Sequence, residues 1–511
     1  MLPFLSKPIR SQPMLNFRFC AIALAIALYF SPATAQQPPR RDEFFWLGEI
    51  NKATAVINTD EGLLDRAMAP RAAAGIAKVL KDGSQPGGKR PSTVITFEPL
   101  LIEAAGPEVT LLHAGRSSQD MHATYRAAIL RDDMLNLADQ LNKTATTLVK
   151  MAETHAGTIV PNYTNGVAAQ PNSLGHYLLG HAAALDRDAQ RIREAYVRID
   201  RSPMGTTVLN GTSWPLNRNR MASYLGFTAT VDNAYDAAQI SSNDEPVEAA
   251  AIVTSIALHT GSFIEDLMVQ YSQSRPWILL QEGGGNTYVS SAMPQKRNPG
   301  LLNATRRDAS TVITLAIGPV IEAHNITPGM GDAKEVKANS AMVDTTIKML
   351  KDWDKILNAL VISPERALEE LNSDWTASQE LADVLMRKYK LPFRVGHHFA
   401  SEIVDYAKAK DIKPLDFPYA EAQRIYADAV KGVADSKLPM SEAEFRATLD
   451  PVAIVNNRAT AGGPQPAEMQ RMLKAAKEKL ARQNDWVAQN RGRISNALAG
   501  LDRDFDKLLT K

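Results

Sequence analysis

The chain has 511 residues, 45% of them hydrophobic, which is enough for two or three domains around a sizeable core and excludes a disordered chain. Lys plus Arg total 57 and Asp plus Glu 56, for a net charge of +1, so no global field draws it to nucleic acid or an anionic membrane, and a charged ligand must be recognised locally. The single cysteine, Cys20, lies in the N-terminal segment read below as a signal, so disulfides and thiol catalysis are excluded from the mature chain.

At the N-terminus Lys7, Arg10 and Arg18 precede the apolar run Phe19 to Phe30, and Ala33 to Ala35 (ATA) offer a small-residue cleavage site before Gln36. The run is shorter than the roughly 20 residues that span a bilayer, so residues 1–35 are expected to be a signal peptide, with no membrane association after its removal. Asn-x-Thr triplets at Asn142, Asn162, Asn210, Asn303 and Asn325 include positions assigned below to the active site. Glycosylation would be ruinous there, which favours a bacterial periplasm over a eukaryotic secretory route.

Between Gln85 and Val109 the pattern is irregular, and STVITF (Ser92 to Phe97) reads as a short strand or extended segment. From Ser117 to about Ala156 there is no proline or glycine, and Leu130, Met134, Leu137, Leu141, Leu148 and Met151 recur at helical spacing, predicting one long amphipathic helix. A second helix follows Pro171, with a stripe of Leu174, Leu178, His181, Leu185, Ile192, Tyr196 and Ile199. A third follows Pro299, with Leu302, Ala309, Val312, Ala316 and Val320 on one face. Stripes of this length must be buried against one another or against other subunits, which predicts a long helical bundle shared in a homo-oligomer. From about Leu391 shorter helices end in a charged amphipathic helix over 467–509.

The segment VSSAMPQKRNP (Val289 to Pro299) follows the glycine triplet Gly283 to Gly285, in a chain otherwise read as helix. Asn298 followed by Pro299 reads as an N-cap and first-turn pair. A helix N-terminus beside Lys296 is suited to a carboxylate, and a serine on a mobile lid can be carried onto a substrate. Taken alone, the stretch also fits a polar capped loop.

SSAMPQKRNP is similar to the signature loop GSSxMPxKxNP of the fumarase/aspartase superfamily. HAGRSSQD (His113 to Asp120), PNYTNGVAAQP (Pro161 to Pro171) and WPLNRNRMASYLGF (Trp214 to Phe227) resemble, in order, the HTGRSRND, PGYTHLQxAQP and FPIDRxRxAxxLGF motifs of its argininosuccinate lyase branch. LADVLMRKYKLPFRVGHH (Leu381 to His398) resembles that branch's C-terminal domain, so the likeness runs from about Phe45 to Val430. It implies an all-α chain of three mostly helical domains with a central bundle of five long helices. It also implies a homotetramer whose twenty-helix core builds each active site from three subunits. The boundaries expected are a signal peptide over 1–35, an N-terminal lyase domain over 36–135, the central bundle over 136–390 and a C-terminal helical domain over 391–511.

The resemblance also implies cofactor-free β-elimination of fumarate from a small dicarboxylate or N-succinyl substrate. The proton removed is weakly acidic, so the aci-carboxylate that develops must meet fixed positive charge and N–H donors. By match, Ser290 is the base and Lys296 favours its alkoxide. Ser291, Asn298, Ser117, Thr164 and Gln170 bind carboxylates, and Arg218 either contacts substrate or pairs within the scaffold. His113 is placed at the rim of the site, His176 and His181 in the bundle core, and His397 and His398 in structural positions. No His/Cys/Asp/Glu spacing points to a metal.

The chain departs from the pattern at Val289, where the signature has glycine, at Ser118 and Gln119 in place of Arg-Asn, and at Gly329 and Met330 in place of a Tyr-Asn pair. Asn165, counted with Thr164 and Gln170 among the expected substrate-binding positions, stands where the branch has a histidine. Asn303, thirteen positions after Ser290, stands where the branch has that histidine's glutamate. The reading is therefore an exported C–N lyase whose amine substrate is open, with a carboxylate-binding or structural protein on the same scaffold as the alternative.

Overall fold

The computed structural model describes residues 40–510, and the expected signal peptide lies outside them. Helix α1 (Glu43–Asp60) starts at Asp42, whose carboxylate accepts the Phe45 N–H at 3.0 Å. Helix α2 (Ala69–Gly83) packs on α1, and α3 (Val94–Ala105) on α2. The stretch expected as a strand thus lies in α3. The Thr93 hydroxyl accepts the Thr96 N–H, and Val94, Phe97, Leu101 and Ala105 are buried while Ile95 is exposed, a period near 3.6 and not 2.

Helix α4 (Ser118–Thr154) is 37 residues long and runs unbroken through position 135. It leads through an antiparallel hairpin, β1 (Ile159–Thr164) and β2 (Val167–Ser173), into α5 (Leu174–Ile199). The expected stripes hold: Leu130, Met134, Leu137, Leu141 and Leu148 are buried on α4, and Leu174, Leu178, Leu185, Ile192, Tyr196 and Ile199 on α5. A short parallel pair, β3 (Arg201–Ser202) and β4 (Ala229–Thr230), brackets α6 (Arg218–Tyr224). A π-helical turn, Asp236–Ile240, then opens into α7 (Ser241–Tyr271).

Beyond α7, β5 (Ile278–Leu280) leads to a hairpin of β6 (Tyr288–Val289) and β7 (Arg297–Asn298), which delivers the chain to α8 (Gly300–Glu322) and α9 (Val336–Ala359). Strand β8 (Leu360–Ile362) then pairs antiparallel with β5. On α8, Leu302, Ala309, Val312 and Ala316 are buried, but Val320 is 51% exposed, so the stripe leaves the core one turn before the helix ends. Helices α4, α5, α7, α8 and α9 pack on one another as the central five-helix bundle.

Helices α10 (Pro364–Ser373), α11 (Ser378–Tyr389), α12 (Phe393–Ala409), α13 (Tyr419–Ala429), α14 (Glu442–Leu449) and α15 (Pro451–Asn456) follow. A second hydrophobic cluster within them runs from Trp375 to Leu449, around Phe399, Phe417 and Phe445. The last helix, α16 (Pro466–Leu509), returns to pack on α1, α2, α4 and α5. Its Arg493 donates to Asp200 at 2.6 Å, and the other oxygen of Asp200 takes the fully buried Arg131 at 3.2 Å. An ion triad of this kind costs much to break, because any one loss strands a buried charge.

Alternation of the bundle helices fixes two ends. The start of α4, the segment 200–240 and the turn between α8 and α9 share one end. The β1–β2 hairpin, β5, the β6–β7 hairpin and β8 share the other.

Candidate active site

At the hairpin end, Thr164 and Val167 face each other across β1 and β2, so Asn165 and Gly166 alone make the turn. Both have positive φ, +53° and +75°, the conformation of a two-residue type I′ turn that Asn-Gly favours. Asn165 is therefore explained by backbone geometry as well as by the loss of a histidine. Thr164, Asn165 and Gln170 are exposed, and the Gln170 amide donates to Gln379 Oε1 at 2.8 Å.

Tyr163 pins this hairpin: its hydroxyl donates to Glu370 Oε1 at 2.5 Å and accepts from Trp277 Nε1 at 2.9 Å. Burial, then the bond to Glu370, hold its phenol well above the usual range. The root of the signature loop at Trp277 is thereby tied to the turn carrying Thr164 and Asn165. Sequence matching passed over this tie, because its three residues are far apart in the chain.

The signature loop itself is a hairpin. Gly283, Gly284 and Gly285 have φ of +81°, +59° and +83°, a run of left-handed residues that only glycine adopts without strain. Ser290 N donates to Lys296 O at 3.3 Å, and Lys296 N donates to Met293 O at 3.1 Å. Arg297 fastens the loop by donating to Glu282 at 2.9 Å and to the Pro294 carbonyl at 2.7 Å. Within it, Ser290 Oγ accepts the backbone N–H groups of Ala292 at 3.3 Å and Met293 at 3.2 Å. Ser291 and Lys296 are exposed, and no hydrogen bond or ion pair engages the Lys296 ammonium among the described residues. Asn298 is not the N-cap expected of it: it pairs with Tyr288 in the hairpin, and Pro299 precedes α8 without a side-chain cap. The Leu301 N–H, one of the donors expected to be free, is taken by the Asn286 carbonyl at 3.0 Å.

At the opposite end, Ser117 is the N-cap of α4. Its hydroxyl accepts the Gln119 N–H at 3.0 Å and donates to Thr207 O at 3.2 Å. Asp120, fully buried, completes the capping box and accepts the N–H groups of Ser117, Gly205 and Thr207. Burial still pushes its carboxyl up to about 6. Arg218 is committed to the scaffold, donating to the carbonyls of Met204 at 3.0 Å and Val231 at 2.7 Å. His113 pairs with Glu98 at 3.0 Å. His181 stacks edge-on against Tyr177 and Phe263, and its imidazole is pulled down to about 4 by burial, then by His259. His176 meets the Gly462 carbonyl at 2.8 Å.

One chain therefore brings together Thr164, Asn165, Gln170, Ser290, Ser291, Lys296 and Asn298 at one end of the bundle, and leaves Ser117 and Arg218 at the other. At about 1.5 Å per residue the 37-residue α4 separates the two groups by about 55 Å. A site that uses both must be built between chains.

A family profile described as Lyase matches residues 93–314, and one described as Argininosuccinate lyase C-terminal matches residues 375–456. The argininosuccinate lyase of Methanoculleus marisnigri is 30% identical over 414 residues, covering 79% of this chain and 80% of its own. That of Methanosarcina acetivorans is 28% identical over 468 residues, covering 90% and 91%. Among solved structures, a fumarate-bound variant of EDDS lyase superposes with a TM-score of 0.83 at 24% identity, covering 92% of each chain. A 3-carboxy-cis,cis-muconate lactonizing enzyme from Pseudomonas putida gives 0.62 at 19%, covering 88% of this chain and 96% of its own. The chain belongs to the fumarase/aspartase superfamily, on its argininosuccinate lyase-like branch, and is a lyase.

Proposed function

We propose that the protein is an exported carbon–nitrogen lyase that releases fumarate from an N-succinyl amino compound, with Ser290 as the base. The observation that carries this reading is the surroundings of Ser290 Oγ, which already accepts two backbone N–H groups on a hairpin whose next cation, Lys296, is exposed and unengaged. Two fixed donors stabilise an alkoxide more than a hydroxyl, and closure of the loop over substrate would remove the water that competes with them.

In this scheme Ser290 removes the proton next to a carboxylate. Lys296, Ser291 and Asn298, with Thr164 and Gln170, hold the two carboxylates as charge builds on them, and Ser117 joins from another subunit. The bond from carbon to nitrogen then breaks to leave fumarate and an amine. Neither Asn165 nor Asn303 titrates, so the amine departs already carrying its proton or takes one from water.

Assembly as a homotetramer supplies the missing end of each site. Val197, Leu258, Ile317 and Ile321 expose apolar surface on α5, α7 and α8. Gly180, Gly261 and Gly318 lie inside those same helices, where an added Cβ would meet nothing within 4 Å. Glycine inside a helix costs about 1 kcal/mol relative to alanine, and close approach of helices from other chains is what would offset it. Export rests on the basic, apolar and small-residue order of residues 1–35 and predicts a mature terminus at Gln36.

The test is fumarate release by the purified chain from a panel of N-succinyl amines and amino acids, with Ser290→Ala as control. Tight carboxylate binding without fumarate from any of them would favour the second reading, a carboxylate-binding protein on this scaffold. The paired change to Asn165 and Asn303 is what speaks for that alternative.

A further inference from the structure

At the end of the bundle that carries Ser290, a cavity of about 90 Å³ lies between α4, β1, α5, α7 and β5. At roughly 15 Å³ for each water-sized occupant, it has room for on the order of six heavy atoms. Its interior is apolar: Leu174, Leu178, Phe263, Leu267, Trp277 and Ile278 line it and are all buried. Asp266, on α7, is the one charged residue in the lining, and no lysine, arginine or histidine joins it among the described residues. Asp266 is exposed while the residues behind it are buried, so it marks the mouth.

The carboxylate is held in place there. Tyr177, half-buried on α5, donates its hydroxyl to Asp266 Oδ2 at 2.9 Å. Burial, then the charge on Asp266, keep the Tyr177 phenol well above its usual range, so it stays a donor and Asp266 an acceptor. No cation pairs with Asp266 among the described residues, and its Oδ1 has no hydrogen-bond partner there. Deeper in, Gln270 gives its Oε1 to the Trp277 N–H at 3.3 Å, while its Nε2, beside the Tyr163 hydroxyl, is buried without a hydrogen bond of normal length. A water at the inner end would serve that donor.

An apolar interior alone would suit any small hydrophobe, and an acid alone any cation. Together they suit a molecule with a carbon chain at one end and a positive charge at the other, and they repel carboxylates. We propose that this cavity binds a short primary alkylammonium ion, its chain in the apolar interior and its ammonium on Asp266 at the mouth. The ammonium sets charge-assisted donors against an unpaired carboxylate, and each methylene that enters strengthens binding by up to about fourfold. Tyr163 and Trp277 also line the cavity, so an occupant braces the tie between the β1–β2 hairpin and the root of the signature loop. On the reading of the chain as a carbon–nitrogen lyase the released amine belongs to the same class, and the cavity would then bind product; the binding itself rests on the cavity alone.

The test is isothermal titration of the full chain, without substrate, with n-alkylammonium chlorides from methyl to octyl at fixed ionic strength. One-site binding is expected to tighten along the series as far as butyl or pentyl and then level off, because the cavity is full. Butanol and butyrate should bind at least about tenfold more weakly than butylammonium, since neither sets a charged donor on Asp266. Asp266→Asn, an exposed change that keeps an acceptor for Tyr177, should weaken butylammonium by about tenfold. Four results would each overturn the proposal: no binding, affinity that still climbs at octyl, butanol equal to butylammonium, or Asp266→Asn that binds butylammonium as the wild type does. No turnover enters the measurement, so a chain that binds butylammonium yet releases no fumarate would refute the lyase reading alone, and the converse would refute this site alone.

Discussion

If Ser117 and Ser290 serve the same site from different chains, two inactive proteins should make an active one. The perturbation is to mix Ser117→Gly with Ser290→Ala, dissociate the mixture mildly and let it reassemble. Glycine is chosen at 117 because an N-cap Ser→Gly change costs only a few tenths of a kcal/mol, where alanine costs about 1. This matters because the Ser117 hydroxyl also caps α4 and bonds Thr207. About 55 Å separates the two serines along the 37-residue α4, so no motion of one chain brings them together. In a randomly assembled one-to-one tetramer, about a quarter of sites take an intact Ser117 from one parent and an intact Ser290 from the other. Fumarate release should therefore climb from the low level of either parent to about a quarter of wild type. Each parent carried through the same cycle alone should stay inactive. A mixture no more active than the average of its parents would refute the reasoning, for it would mean that Ser117 is only a cap or that the two serines never meet.

Ser290→Ala should lower kcat by about 10² to 10⁴ and leave the melting temperature unchanged, since the hydroxyl only accepts two N–H groups on an exposed loop; a loss under about tenfold would send the search to another base. Asn165→His with Asn303→Glu should add a limb near pH 6.5 to the turnover profile, with Asn165→His alone doing less; a histidine-like limb already present in the wild type and abolished at His113 would show the acid relocated. N-succinyl alkylamines should turn over faster than argininosuccinate, and the double variant should narrow that gap; equal rates would remove the argument made below for the leaving group. Asp120, pushed up to about 6 by burial, binds its proton more tightly folded than unfolded, so its contribution is present below about pH 4 and lost as pH rises to 6. The stability of wild type minus Asp120→Asn should fall by about 2 kcal/mol between pH 4 and pH 7; a difference that rises instead would show that the three N–H donors outweigh burial.

Much of the bundle was legible because long stripes with no Pro or Gly admit one period only, as Leu130 to Leu148 on α4 show. Six residues such as Ser92 to Phe97 are too few to tell alternation from a helical face, and the Thr93 cap that decides the matter looks the same in a loop. The order of the motifs named the candidate residues but not their distribution between two ends of one chain. That distribution follows from the alternation of α4, α5, α7, α8 and α9 and from α4's length. The Tyr163 bonds to Trp277 and Glu370 join positions more than a hundred residues apart in sequence, where no spacing rule reaches. Asn165-Gly166, by contrast, was readable as a hairpin turn, and treating Asn165 only as a missing histidine hid it.

The two meanings of Asn165 bear on the chemistry together. Where the branch has His-Leu, this chain has Asn-Gly, and both residues take the left-handed region, at +53° and +75°. Loss of a catalytic histidine by itself would not call for glycine at the next position, whereas a tight type I′ turn calls for both changes at once. The turn and the absence of a titratable group at its tip thus arrive as one structural unit. In the proposed reaction this leaves no side chain at the tip to protonate the leaving nitrogen. A secondary alkylamine does not need one, because its nitrogen, with a pKa resembling that of lysine near 10.4, is already protonated at neutral pH and departs as a neutral amine. A substrate whose nitrogen belongs to a delocalised guanidinium gains less from its own proton, since that charge is spread over three nitrogens and the breaking bond feels only part of it. The geometry of the hairpin tip therefore favours alkylamine substrates over argininosuccinate itself, by removing help that only the second class requires.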